Sequence, residues 1–327
     1  MHPAADGGLA RIRVPGGTLT KVQFRAVVEA SADLGDGQLE LTSRANFQIR
    51  GLAEGAQFEL GDRLAKAGLL PSLTHERVRN IIAAPLSDGT QAIVDAIDQA
   101  LCATPELADL PGRFLVTVGA EVAGLGGDIG LVDDALLLAG TDTGLRPDNP
   151  VEAVVEAARI FAAERGTAWR LSEMPDGVAR ITAALGTPTA EPITVSTAPP
   201  LPGPAGDRFV VGAPLGRLDA HQSAALADLG TSVRLTPWRS LVVPGTPDLT
   251  GLGLITDPDS AWHGVTACTG RPGCAKSLAD VRADARNWLG TPHTRPVHWA
   301  GCARRCGRPS GDVIEFVATG DGYKETS

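Results

Sequence analysis

Nothing in this 327-residue sequence is apolar for long enough to span a bilayer, and the opening MHPAADGG has neither the basic nor the apolar part of a secretory signal. A cytoplasmic location with no membrane partner is the expectation. Basic charge is short too. The net charge of −9 argues against nucleic acid as a partner, while leaving room for a local basic pocket. No glycine-rich dinucleotide fingerprint follows a strand pattern. The histidines show no metal-binding spacing. His75, near Arg79, is the one candidate for an iron ligand or proton carrier, but it, His263, His293 and His298 each read first as surface or hydrogen-bonded side chains, and none is assigned as a catalytic acid or base. Cysteine is scarce, with five in the chain, and nothing suggests the export that disulfides would need.

Four of those five fall between Ala267 and Arg308. ACTGRPGC sets Cys268 and Cys274 with five residues between them, and GCARRCGRP sets Cys302 and Cys306 with three. Four thiolates in two close pairs can enclose an iron–sulfur cluster, and Gly270, Gly273, Gly301 and Gly307 let backbone wrap closely around it. KSLADVRADARNWL, directly after Cys274, has helical spacing, which predicts a helix whose positive N-terminal end faces the cluster. Zinc also takes four cysteines, usually with shorter gaps, and stands as the alternative. Cys102 lies alone in an apolar helical run and reads as packing.

The remainder of the chain repeats itself. RIRV reads as a strand broken by PGG, Thr20 and Gln23 form a capping-box pattern, and LELTS and NFQIRG read as strands before a helix over about 56–67. The same order returns as RFVVGAP, the Asp219/Gln222 cap, HQSAALADLG and SVRLTPWRSLVVPG. An internal duplication explains it. Two half-units, each with one sheet face to cover, would pair into one α+β domain. Between the copies, 91–101 and 151–163 have helical spacing and LPGRFLVTVG reads as a strand. Residues 187–207 are proline-rich without periodicity and read as a linker.

These features together resemble the nitrite/sulfite reductase superfamily over nearly the whole chain. The resemblance implies an α+β fold of duplicated ferredoxin-like half-domains (9–73 and 208–258) with two α/β lobes (74–186 and 259–323), the second carrying the cysteines. It implies a [4Fe-4S] cluster on Cys268, Cys274, Cys302 and Cys306, and in the reductases siroheme linked through the last of these. Within the superfamily LTSRANFQIRGL, LTPWRSLVVPG and GCARRCGRP look most like the precorrin-3B synthase branch. That branch hydroxylates precorrin-3A with O2 and closes a lactone in aerobic cobalamin biosynthesis.

The reductases' LPxKFK segment reads LPGRFLV here, with Arg113 at the first lysine and Leu115 at the second, and leucine cannot hold an oxyanion. A tetrapyrrole rimmed with carboxylates suits arginines, and Arg44, Arg50, Arg79, Arg113 and Arg239 are the expected substrate residues, gathered by the duplication into one cleft. Asn46 and Gln48 would add neutral hydrogen bonds, or face solvent from a strand. Arg304, Arg305 and Arg308 would meet carboxylates or offset cluster charge. Activating O2 requires siroheme or a second O2-binding iron, because four thiolates leave the cluster no open position. The electrons would come from a ferredoxin or an NAD(P)H-dependent reductase. A siroheme nitrite or sulfite reductase is the alternative enzyme, and a non-catalytic tetrapyrrole or metal carrier with structural zinc the alternative class.

Overall fold

The computed structural model describes residues 1–290, 293–309 and 311–326. The first copy contains β1 (His2–Ala4), β2 (Gly7–Ile12), β3 (Thr18–Leu19), α1 (Lys21–Leu34), β4 (Leu39–Leu41), β5 (Phe47–Leu52) and α2 (Ala56–Lys66). The first lobe follows, with β6 (Ile81–Ala83), α3 (Thr90–Cys102), β7 (Val116–Val118), α4 (Ala120–Ala123), β8 (Ile129–Val132), β9 (Ala135–Leu138), β10 (Thr141–Asp142), α5 (Pro150–Glu164) and α6 (Gly177–Leu185). The second copy is β11 (Gly203–Ala205), β12 (Arg208–Gly212), β13 (Arg217–Leu218), α7 (Ala220–Asp228), β14 (Val233–Leu235) and β15 (Ser240–Pro244). The second lobe closes the chain with β16 (Val265–Ala267), α8 (Val281–Trp288), β17 (Val297–Ala300), β18 (Ile314–Thr319) and β19 (Gly322–Thr326).

The duplication is real and interlocked. One sheet runs β1-β2-β5-β4-β13 and the other β11-β12-β15-β14-β3, so each copy's short strand completes the sheet of the other. The pairings match: Glu40 lies opposite Arg217 on one side, and Arg234 opposite Thr18 on the other. Both expected capping boxes form. Thr20 and Asp219 each accept the N3 backbone N–H, while Gln23 and Gln222 reach back to the cap. Phe24, Phe47 and Leu19 from one copy join Val211, Leu218 and Leu241 from the other in a single core.

Each lobe supplies a partly parallel sheet, because β6-α3-β7 and β16-α8-β17 are helical crossovers. The first lobe orders its strands β10-β9-β8-β7-β6 and the second β16-β17-β18-β19. The second lobe's core stacks Trp299 on Phe316 with ring centroids 4.4 Å apart.

Two expectations change. The helix expected from Cys274 begins only at Val281, capped by Asp280. The intervening amides are spent on turns and on the facing cysteine loop, Ser277 N–H on the Cys274 carbonyl and Leu278 N–H on the Gly301 carbonyl. The stretch expected as a linker, 187–207, ends in β11, which pairs with β12. Its earlier part runs along the first lobe, with Thr189 N–H on the Gly144 carbonyl and Ile193 N–H on Asp142. No helix among the described residues is long and apolar enough to cross a membrane.

Leu19 and Leu218 are fully buried in the exchanged strands. Leu19→Ala and Leu218→Ala should each cost about 2–5 kcal/mol, with one cooperative urea transition for the two half-domains. Two resolved transitions would show that the copies fold independently.

Candidate functional site

In a sheet with parallel strands, side chains for binding collect in the crevice beyond the strands' carboxyl ends. The cysteines sit there. Cys268 follows β16 directly, with its N–H on the Trp299 carbonyl, and Cys302 comes two residues after the last residue of β17. The two loops touch closely enough that a Cβ on Gly301 would fall 1.9 Å from Ser277 Oγ, so only glycine fits. Gly301 N–H donates to Cys268 Sγ at 3.1 Å. All four cysteines are free thiols and line one cavity of about 500 Å³ with Arg50 and Arg304. Burial pushes the Cys268 thiol up, and the Gly301 and Gly270 amides oppose it.

A lone zinc would hold four sulfurs at ~2.3 Å from one point. Among the described residues no three His, Cys, Asp or Glu side chains converge in that way. Four thiols lining one cavity, an amide aimed at sulfur and arginines at the rim fit an iron–sulfur centre.

The expected arginines divide among four places. Arg44 reaches from the turn between β4 and β5 to the first lobe, donating to the Gly112 and Arg113 carbonyls at 2.9 Å each. Burial, then Arg170, brings Arg44 down to about 10. Arg113 is exposed on the same seam. Arg50 instead faces the cysteine cavity, paired with Asp6 at 2.8 Å and donating to the Gly273 carbonyl at 2.6 Å. Arg79 turns into the first lobe, where both carboxylate oxygens of Asp98 accept from it at 2.7 and 2.6 Å. Arg239 lies in a second cavity of about 330 Å³ with Ser43, Trp238, Trp262 and Arg308, and donates to the Gly307 carbonyl at 2.6 Å. Asn46 is buried and accepts the Val14 N–H at 2.8 Å. The six are therefore not all in one cleft: Arg44 and Arg113 share a seam, and Arg50 and Arg239 flank the cysteine loops.

Three features were missed. Arg13 is 6% exposed and brought down to about 10 by burial, with Nε and Nη1 unpartnered. Among neighbouring charges it feels Glu76 first, which opposes the shift, and then Arg11 and Arg44, which add to it. The alternation Arg11-Ile12-Arg13-Val14 already puts both arginines on one side. His298, on β17, is fully buried with Nδ1 2.9 Å from Thr266 Oγ1, and burial, then Arg239, depresses it to about 4. It is a neutral imidazole at neutral pH.

The third is a polar chain. Arg11 donates to Gln48 at 3.4 Å, Gln48 donates to Glu40, and Arg282 donates to Glu40 at 2.7 Å and to the Cys268 carbonyl at 3.3 Å. It runs unbroken from the arginine seam to the first cysteine loop. His75, by contrast, is buried structure, its ring nitrogens 2.9 Å from Ser72 Oγ and 3.1 Å from the Thr104 carbonyl.

Residues 2–67 match the family described as Nitrite/Sulfite reductase ferredoxin-like half domain. The chain also takes the fold of the Mycobacterium tuberculosis NirA protein, with a TM-score of 0.73 at 20% identity over 97% of this chain and 73% of that one. Two relatives extend the likeness in sequence. A ferredoxin–nitrite reductase of Synechococcus elongatus is 26% identical over 92% of this chain and 74% of its own. A precorrin-3B synthase of a Sinorhizobium species is 24% identical over 97% and 79%. The motif resemblance thus holds at the level of the fold: the chain has a NirA-like fold with a nitrite/sulfite reductase ferredoxin-like half domain, and a nitrite reductase and a precorrin-3B synthase are both among its relatives.

Glu40 and Arg282 each keep 8% of their side chains exposed. Glu40→Ala strands a buried guanidinium and should lower stability by about 3–5 kcal/mol. Glu40→Leu with Arg282→Leu should recover most of that in urea denaturation. Equal losses in single and double variants would show that the pair does not couple.

Proposed function

We propose that this chain is a tetrapyrrole-modifying oxidoreductase, and specifically a precorrin-3B synthase acting on precorrin-3A with O2. The observation that carries the reading is the polar chain from the arginine seam to the Cys268 loop, because it ties an anion-binding face to an electron-transfer centre. Cys268, Cys274, Cys302 and Cys306 would hold a [4Fe-4S] cluster, which supplies electrons singly. Arg44, Arg113 and the under-partnered Arg13 would take carboxylates of the ring's rim, since a buried cation gains most from a new counter-ion. Trp238 and Trp262 would offer flat apolar surface beside Arg239. Holding the rim at several points fixes which ring carbon is presented for hydroxylation and keeps a neighbouring acetate close enough to close the lactone.

One oxygen atom would enter the substrate and the other leave as water. The reducing equivalents would come from a ferredoxin or an NAD(P)H-dependent reductase in the cytoplasm.

The nitrite reductase relative favours a second reading, a siroheme-dependent nitrite or sulfite reductase. Leu115 speaks against it. It is 5% exposed and packs with Ile82 and Val122, where a reductase of this pattern needs an ammonium group facing the anion.

Anaerobically purified protein should show a broad iron–sulfur absorption envelope, release no siroheme into acid–acetone, and turn over precorrin-3A only with O2. Siroheme bands with nitrite or sulfite turnover would transfer the assignment to the reductase; zinc without acid-labile sulfide would remove both enzymes. Cys268→Ser should lose iron and sulfide while still unfolding cooperatively, and full retention of iron would refute the ligand set.

A further inference from the structure

The loop from Cys302 to Cys306 is held in an unfavourable backbone. Arg305 has φ +47° and Gly307 φ +80°, and only the glycine is at ease there. A non-glycine residue stays in the left-handed region when its surroundings over-determine it. The surroundings in this case are charged. Glu315, in β18, forms an ion pair with Arg308, its Oε1 lying 2.9 Å from Arg308 Nε. Its Oε2 lies 2.9 Å from Arg305 Nε, an ion-pair contact out of line for a hydrogen bond. Arg305 and Arg308 flank Cys306, one on each side along the chain. Arg239, from the second half-domain, donates to the Gly307 carbonyl.

Glu315 is the one charged residue in the strand IEFVAT and is only 7% exposed, opposite the buried His298 in the β17–β18 register. Its neighbours Ile314 and Phe316 pack into the lobe's apolar core, so Glu315 faces the other side of the sheet. A carboxylate in that position is costly unless it is paired. Its two partners are the arginines that bracket the last cysteine.

We propose that Glu315 is a positioning residue for the Cys306 thiolate: it clamps the arginines on both sides of that cysteine and supplies the negative charge that offsets them. The inference rests on the iron–sulfur reading for its electrochemical half and on the fold alone for its positional half. An anion held beside a cluster disfavours adding an electron, so removing it raises the reduction potential.

The test uses the full chain as wild type, Glu315→Gln and Glu315→Ala, with three readouts. Glu315→Gln should keep wild-type iron and acid-labile sulfide but titrate at a higher midpoint potential. Glu315→Ala should lose iron to a chelator several-fold faster than wild type. In the metal-free protein, amide exchange over residues 303–308 should rise in Glu315→Ala and much less in Glu315→Gln, with the half-domain strands unchanged. Exchange over 303–308 at the wild-type rate in Glu315→Ala overturns the positional claim, whether or not iron is bound. An unshifted potential in Glu315→Gln overturns the charge claim. A wild-type protein without iron and sulfide sinks the cluster reading itself, and the exchange comparison still decides the clamp.

Discussion

Each ferredoxin-like copy is one strand short and takes the missing strand from the other. β3 and β13 are only two residues long, yet they make two sheets into one body with one core. Everything chemical depends on that exchange. It fixes β4, and with it Glu40, against the second copy, and so fixes the first sheet's arginines relative to the cysteine loops of the second lobe. Neither copy could hold that geometry alone, because an open strand edge tolerates slippage where a closed one does not.

On this frame the site is arranged as a sequence of charges. The seam of Arg11, Arg13, Arg44 and Arg113 is positive and partly desolvated. Gln48 and the buried Glu40 carry the connection inward, and Arg282 delivers it to the Cys268 carbonyl. Two further arginines reach the cysteine loops from the half-domains, Arg50 at Gly273 and Arg239 at Gly307. The loops are therefore gripped by the domains they serve. The duplicated sheet, in contrast, uses Arg234 at the position equivalent to Glu40, and its guanidinium binds the Ala84, Pro85 and Ser87 carbonyls of the first lobe. That lobe has no cysteines in the matching loops.

What could be read from sequence was what is local. Capping boxes depend on residues three apart, cysteine pairs on their own loops, and the duplication on order along the chain; the boxes and the duplication stand in the structure, and the four cysteines line one cavity. The arginines were harder, because an arginine's role is set by what it meets. Arg79 meets Asp98 on α3, and Arg50 meets Asp6 across the first sheet, and neither partner is marked in its own segment. The helix after Cys274 starts late because its amides had a competing partner in the other cysteine loop. Strands of two residues have no period to detect, so the exchange itself left no trace in the pattern.

The exchanged strand also sets an order on biosynthesis. About 175 residues separate β4 from β13, the strand that covers its edge. At ribosomal rates of about 5–20 residues per second, that edge waits roughly 10–35 s for its cover. The first lobe is contiguous in the chain and can fold in the interval. The edge meanwhile presents Glu40 between Leu39 and Leu41, a buried charge in the finished protein and a deterrent to wrong pairing in the nascent one. One carboxylate thus guards the unfinished sheet before it connects the finished site.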